Sequence, residues 1–323
     1  MKRVIRIAIS AVLIVILCIN IDFAFVLNEI KNMRPWFMVC IILVAAIGVV
    51  CAVLKWRVLL PQVPAGPFFK AFLYGCFFTL VLPGQVFGEA AKIVSFGKYT
   101  DRYDRSISTV LIDKITGIIA LLITGLTGLL FAKADLPGAL TAILIVCIVA
   151  LLALLFSLRV ERVHRLALFI VGLPRKLSPK LNKVTDSAEN LVETWREYLF
   201  KPALIAKSIA MGMVFNVALL AQFILVCWHY EIPVGVFDLC WVMAIVNVVQ
   251  TLPISLAGIG VRDASLVSVF AYIGIPAESA MILAVVLLLV IIFRAIAGAA
   301  CILYDIAGGK SKDKSKGKEK SKG

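Results

Sequence analysis

Six runs of about 20 apolar residues dominate the chain, and a run of that length can cross a lipid bilayer as one helix. They cover residues 7–27, 36–54, 106–132, 138–158, 203–228 and 278–303. Hydrophobic residues make up 62% of the chain and charged residues only 16%, which excludes an ordinary soluble domain. The sequence therefore predicts an all-α polytopic membrane protein with about six full transmembrane helices, the first of them retained rather than cleaved.

Two shorter apolar stretches are each interrupted by a proline and glycines. Residues 68–83 end at a Leu-Pro pair and are followed by residues 90–97, and residues 237–253 end in the same way before residues 264–274. Proline removes a backbone donor and glycine weakens a helix, so both stretches are predicted to be broken helices. The helix-break residues are Pro83, Gly84, Gly88, Pro253, Gly258 and Gly260.

The placement of Lys and Arg predicts how the chain lies in the membrane. The positive segments are the N-terminus, residues 55–57, 92–105 and 159–201, and the tail, and all of them belong on the cytoplasmic side. Both termini are then cytoplasmic, and the two interrupted stretches become re-entrant hairpins that enter from opposite faces. Inverted repeats with broken helices near the midplane are a recurrent transporter architecture.

The chain divides into a transmembrane domain, residues 1–308, and a Lys-rich tail, residues 309–323. Within the domain, residues 159–202 are predicted to form a cytoplasmic connector of amphipathic helices on the membrane surface. The tail is predicted to be disordered and attracted to anionic lipid headgroups. The chain has a net charge of +14 but contains no nucleic-acid-binding motif, so the charge indicates membrane orientation rather than nucleic-acid binding.

Ionisable residues inside the apolar segments are the candidates for chemistry, because a charge inside a membrane span is costly. Arg294 is roughly 15 Å from the cytoplasmic end of its predicted helix at helical rise, too deep to reach water easily. Glu89 and Asp263 follow the two glycine-rich breaks, where a carboxylate either caps a helix or faces a ligand, and both readings stay open. The predicted headgroup-binding set is Glu89, Lys92, Arg262, Asp263 and Arg294.

Asp113 and Lys114 lie about two turns inside a predicted span with several glycines, and we expect them to form structural ion pairs with another span. The eight cysteines and two histidines lack the spacing of a metal site, and no GxSxG, Walker A or HExxH motif is present. The sequence thus predicts no catalytic residue, no metal and no cofactor.

Several motifs together carry a resemblance to a known family. They are Lys55-Trp56-Arg57, Leu82-Pro83-Gly84 with Gly88-Glu89 and Lys92, Asp113-Lys114-Ile115-Thr116-Gly117, Gln250-Thr251-Leu252-Pro253 with Gly258-Ile259-Gly260-Val261-Arg262-Asp263, and Gly274-Ile275-Pro276. With them the chain resembles the lysylphosphatidylglycerol synthase transmembrane, or flippase-like, family. Two positions depart from the family pattern: Asp263 stands where Glu is frequent, and Lys114 where Arg is common.

The resemblance implies a flippase that moves a charged-headgroup lipid between leaflets of a prokaryotic cytoplasmic membrane. The lipid classes it suggests are an aminoacylated phospholipid, a glycolipid or a polyprenyl phosphate. Aminoacyl transfer in such proteins belongs to a separate soluble domain, which this chain is expected to lack, so no enzyme activity is expected. Two alternatives stay open: a membrane enzyme or enzyme subunit that transfers a group to a lipid, and a membrane scaffold. Partners considered are a second copy of the chain and a separate lipid-modifying enzyme.

Overall fold

The computed structural model describes residues 33–82, 85–132, 138–177, 182–251 and 261–319, without the side chains of residues 173–177, 183–184, 261 and 308–319. Within these ranges the chain forms eleven α-helices and no strand. The helices are α1 (Pro35–Arg57), α2 (Ala65–Val81), α3 (Gln85–Thr100), α4 (Tyr103–Phe131), α5 (Gly138–Phe156), α6 (Glu161–Leu177), α7 (Asn182–Leu199), α8 (Pro202–His229), α9 (Val236–Gln250), α10 (Val261–Tyr272) and α11 (Ala277–Glu319).

Five of the described helices are long and apolar enough to cross a membrane. They are α1, α4, α5 with the short 3₁₀ turn that follows it, α8, and α11 as far as Ala307. These helices confirm five of the six predicted spans, and the remaining run, residues 7–27, lies outside the described residues. The chain is therefore a multi-pass, all-helical membrane protein.

The first interrupted stretch forms two helices that pack against each other. Helix α2 ends at Val81 and α3 begins at Gln85, so the break falls at residues 82–84. Pro83 and Gly84 themselves lie outside the described residues. The sequence predicted that the break would extend to Gly88, whereas Gly88 is a buried residue inside α3. That this pair enters and leaves on the cytoplasmic side stays a prediction.

The second interrupted stretch also forms a packed pair, α9 and α10. Its break, which includes Pro253, Gly258 and Gly260, lies outside the described residues. The two pairs occupy related positions, because both contact α4 and α11: α3 and α9 pack against α4, and α2 and α10 pack against α11. Each broken pair thus bridges α4 and α11.

Buried apolar side chains form two main clusters at different heights in the bundle. One contains Phe37 and Ile41 from the start of α1, together with much of α9 and α11. The other contains Val53 and Trp56 from the end of α1, with Phe68, Phe96 and the first half of α4. Helix α1 therefore contributes its two ends to different clusters.

The connector forms two helices, α6 and α7, which pack against each other. Arg196 of α7 donates to Glu161 of α6 at 2.5 Å, and this hydrogen bond lowers the pKa of the Glu161 carboxyl. Burial raises the pKa of the Tyr198 hydroxyl to about 12. Leu166 and Phe169 are exposed on α6, which suits the prediction that the connector lies on a membrane surface.

The last helix continues to Glu319, so its backbone includes part of the Lys-rich tail for which the sequence predicted no fixed structure. Side chains are described only as far as Ala307. The attraction of the tail to anionic lipid stays a prediction.

Candidate functional site

A cavity of about 320 Å³ lies between the two broken helix pairs and is lined by α1, α2, α3, α4, α8, α9 and α11. Its walls combine apolar side chains with a group of ionisable ones near the middle of the bundle. Four cations and two carboxylates line it, giving a formal charge of +2, and they are Lys55, Lys92, Lys114, Arg294, Glu89 and Asp113. An excess of positive charge in a low-dielectric enclosure favours an anionic guest.

Glu89 is the centre of one charge cluster in this cavity. Its carboxylate accepts a hydrogen bond from Lys92 Nζ at 3.1 Å and lies 3.8 Å from Lys114 Nζ. Lys92 also lies over the Phe72 ring, with its nitrogen 5.1 Å from the ring centroid. Glu89 is in the second turn of α3 and not in the first, so it does not cap the helix. Its two cationic neighbours show that it belongs to the cavity network.

A second ion pair joins two spanning helices at the cavity wall. Lys55 Nζ lies 2.5 Å from Asp113 Oδ1 and also donates to the Asp113 main-chain carbonyl. Lys55 is only 5% exposed although it lies near the end of α1. From the sequence, Lys55 was interpreted as one of the positive charges that mark the cytoplasmic side. Its place in the cavity was therefore not predicted. Asp113 and Lys114 therefore each pair with a different helix, α1 and α3 respectively.

Arg294 differs from the other cations because no described carboxylate pairs with it. Its Nε and Nη2 atoms are buried and have no hydrogen-bond partner among the described residues. The guanidinium lies against Gly48, where an added Cβ would be 3.3 Å from Nη2. Unpaired guanidinium donors inside an apolar bundle are costly, so this group is available to an anionic ligand.

Arg262 and Asp263 are not among the residues that line the central cavity. Arg262 donates to Asp263 Oδ1 at 2.9 and 2.7 Å and to the Ala284 carbonyl at 3.0 Å, and it is 2% exposed. Asp263 lies in the first turn of α10, as the capping alternative expects. Arg262 lines a smaller neighbouring cavity that shares Arg294 with the central one. Of the five predicted binding residues, the central cavity thus brings together Glu89, Lys92 and Arg294.

Two glycines, Gly75 of α2 and Gly88 of α3, allow these helices to pack closely beside the charged residues, and we call them the glycine seam. A Cβ at Gly75 would lie 2.9 Å from two carbons of the Lys92 side chain, and one at Gly88 would lie 2.8 Å from the Gly75 carbonyl oxygen and against the Thr79 side chain. Both positions need glycine for this close approach. The seam leaves room for the Lys92 side chain beside Gly75, where it reaches Glu89 one turn earlier in the same helix.

We expect Gly88→Val to separate α2 from α3 and to lower stability by about 1–3 kcal/mol, the usual cost of overpacking. The measurement is thermal unfolding of the purified protein in detergent. Gly66→Val is the matched control, because a Cβ at Gly66 meets nothing within 4 Å. Equal melting temperatures for the two variants would contradict the packing role of Gly88.

Metal binding finds no support in the described part of the chain, where no three His, Cys, Asp or Glu side chains come together in a suitable group. The ionisable residues of the central cavity are mostly lysines and arginine, which repel a cation. Their chemistry is that of charge-assisted hydrogen bonds to phosphate or carboxylate oxygens.

Comparison with known protein families gives one match that covers most of the chain. The model of the lysylphosphatidylglycerol synthase TM region matches residues 3–298, which include every residue of the central cavity. Comparison with curated proteins and comparison with solved structures each find no match. The chain therefore belongs to the family of the lysylphosphatidylglycerol synthase TM region.

Proposed function

We propose that the protein moves a lipid with an anionic headgroup between the two leaflets of the cytoplasmic membrane. The observation that carries the proposal is the central cavity, whose lining has a formal charge of +2 and includes Arg294 without a described carboxylate partner. A phosphate group matches both features, because it offers negative charge and several acceptors to the guanidinium. Membership of the family agrees with a role in membrane lipid chemistry.

An apolar groove on the other face of the α2–α3 pair suits the lipid tails. This groove has a volume of about 870 Å³ and is lined by α2, α3 and α11, with Phe78, Phe87 and Val94 along its length. Lys70, Asp305 and Lys98 line the same groove, and Lys70 and Asp305 form an ion pair of 2.5 Å. Acyl chains can remain in this groove and in the surrounding lipid while the headgroup occupies the charged cavity.

The two broken pairs support a proposal of alternating access. Both pairs contact α4 and α11, and each contributes residues to the wall of the central cavity. If they enter from opposite faces, as the positive-inside pattern predicts, movement of one pair opens the cavity to the cytoplasm and movement of the other opens it outward. The headgroup site then stays near the midplane.

Leaflet exchange in proteoliposomes tests the proposal. Purified protein is reconstituted with fluorescent phosphatidylglycerol, lysyl-phosphatidylglycerol or polyprenyl phosphate, and a membrane-impermeant reductant reports the fraction in the outer leaflet. We expect a probe with a phosphate headgroup to exchange faster than in protein-free vesicles. Lack of exchange for both anionic probes, phosphatidylglycerol and polyprenyl phosphate, would contradict the proposal, because lysyl-phosphatidylglycerol carries a net positive charge. A new lipid product in the same vesicles would support the membrane-enzyme alternative instead.

We expect Glu89→Gln to lower the exchange rate of an anionic lipid about tenfold, equivalent to about 1.4 kcal/mol. Removal of this carboxylate raises the formal charge of the cavity from +2 to +3, so the headgroup binds more tightly and leaves more slowly. The measurement is exchange rate against probe concentration, which should show half-saturation at a lower concentration. Glu197→Gln, an exposed connector carboxylate, is the control. A Glu89→Gln rate equal to that of the control would exclude Glu89 from the site.

A further inference from the structure

A second cavity of about 100 Å³ adjoins the central one and has Arg294 in a shared wall. Its other polar lining residues include Arg262, Gln222 and Asn247. On the same measure of volume a single water needs roughly 10–15 Å³, so this space holds something larger than one water. At less than a third of the central cavity, it is too small for a whole phospholipid headgroup.

Three side chains on its wall have buried polar atoms without a hydrogen-bond partner in the described part of the chain. They are Arg262 Nη1, Arg294 Nε and Nη2, and Gln222 Oε1. Arg262 is 2% exposed and Gln222 is 1% exposed. Buried polar groups in proteins are normally satisfied, so several unsatisfied atoms around one small cavity indicate an unseen ligand.

The charges around this cavity favour an anion over water. The Arg262 guanidinium is balanced by Asp263, whereas no described carboxylate balances Arg294. Asn247 is neutral and donates to the Met243 carbonyl at 2.8 Å. A bound water could accept hydrogen bonds here but would leave the charge of Arg294 uncompensated in an apolar bundle.

Gln222 narrows the choice of anion. Its NH₂ group donates to the Ala218 carbonyl at 3.3 Å, and since a carbonyl only accepts, this bond fixes the amide orientation and leaves Oε1 as an acceptor. The cavity thus presents guanidinium donors together with one acceptor. An oxyanion that carries a proton satisfies both, because its oxygens accept from arginine and its O–H donates to Gln222. A fully deprotonated oxyanion satisfies only the donors.

We propose that this small cavity binds one protonated oxyanion of the hydrogenphosphate class, between Arg262, Arg294 and Gln222. The same chemistry is offered by free phosphate and by the terminal phosphate of a lipid monoester. The site stands on its own geometry and does not need the leaflet exchange proposed above. If exchange also occurs, occupancy of this site weakens the hold of the central cavity on the headgroup, because both cavities use Arg294.

Thermal unfolding of the full-length protein in an uncharged detergent tests this site. Sodium phosphate, sodium sulfate and phosphatidic acid are each titrated at pH 7 and constant ionic strength, with gluconate as the replacement anion. We expect phosphate to raise Tm saturably by about 2–4 °C, through binding to the folded state, and sulfate to raise it less. A rise with phosphatidic acid alone assigns the site to a lipid phosphate and also supports the proposal.

Two variants separate the donors from the acceptor. Gln222→Leu is expected to lose the preference for phosphate over sulfate while a response to sulfate remains, and Arg294→Leu is expected to lose both responses. Arg162→Leu, on the exposed surface of the connector, should respond like the unchanged protein. If phosphate and sulfate raise Tm equally in the unchanged protein, or if Arg294→Leu keeps the full response, the proposal is wrong. Should a variant fail to fold, the phosphate and sulfate titrations of the unchanged protein still decide.

Discussion

Replacement of Arg294 with glutamine is expected to slow leaflet exchange of an anionic lipid more than any other single change in the central cavity. Arg294 is the cation there without a described carboxylate partner, so its interaction with a headgroup is offset by no competing ion pair. A hydrogen bond to a charged group contributes about 1.5–3 kcal/mol, which corresponds to a loss of roughly 10- to 150-fold in exchange rate. The measurement is the rate of probe exchange in proteoliposomes at a subsaturating lipid concentration.

Arg294→Lys is the informative companion to that variant. Lysine restores the positive charge but not the planar fork of donors, so we expect only partial recovery of exchange. Arg162→Gln, on the exposed surface of the connector, is the control for reconstitution, because its charge lies outside both the central cavity and the apolar groove. Exchange at the unchanged rate in Arg294→Gln would remove the residue from the headgroup site. Headgroup binding in the central cavity would then have to depend on another residue.

Much of the central cavity can be predicted from the sequence because its charged residues stand out in apolar segments. A carboxylate or a guanidinium inside a span needs a partner or a ligand, whatever the details of the fold. That reasoning finds Glu89, Asp113, Lys114 and Arg294, which line the cavity, and also Arg262 and Asp263, which do not. The same apolar lengths predict the spanning helices, because a bilayer imposes the length of a crossing helix.

Lys55 could not be placed from the sequence because its neighbours suggest a different role. It precedes Trp56-Arg57 at the end of a span, where positive residues normally mark the cytoplasmic side. Its partner Asp113 is 58 positions away, and only the packing of the helix bundle brings the two together. The available signal was the isolated carboxylate of Asp113, which needs a cation from another helix.

Gly88 shows how tertiary contacts override local preference. Glycine is a weak helix former, so its position after a proline predicted a longer break. In the structure Gly88 continues α3 because the missing Cβ makes room for Thr79 and the Gly75 carbonyl. Arg262 was predicted to bind a headgroup, but its guanidinium is engaged within the protein. Asp263 accepts two of its hydrogen bonds and the Ala284 carbonyl accepts another. Spacing along the chain does not reveal such contacts.

The Lys55–Asp113 pair is expected to have the largest effect on stability among the charged residues of the central cavity. Lys55 is 5% exposed, and its ammonium group is 2.5 Å from the carboxylate and also bonded to the main chain of α4. Lys55→Met leaves the Asp113 carboxylate without that cation, and breaking a buried pair in this way costs about 3–5 kcal/mol. We expect a value near the lower end, since the Asp113 side chain keeps 21% exposure toward the cavity. Thermal unfolding in detergent measures the loss.

The double variant Lys55→Met with Asp113→Leu separates the ion pair from the packing. With both charges gone no unpaired group remains, so we expect the double variant to melt above Lys55→Met, with a coupling within the range of about 0.5–3 kcal/mol seen for contacting residues. Lys70→Met is the matched control, because Lys70 pairs with Asp305 at the same 2.5 Å distance but with 44% of its side chain exposed. Exposed pairs contribute about 0–1 kcal/mol, so that control should change Tm little. If Lys55→Met and the Lys70→Met control have the same melting temperature, the Lys55–Asp113 pair contributes no more than a surface ion pair. Helices α1 and α4 would then be held together by their apolar contacts alone.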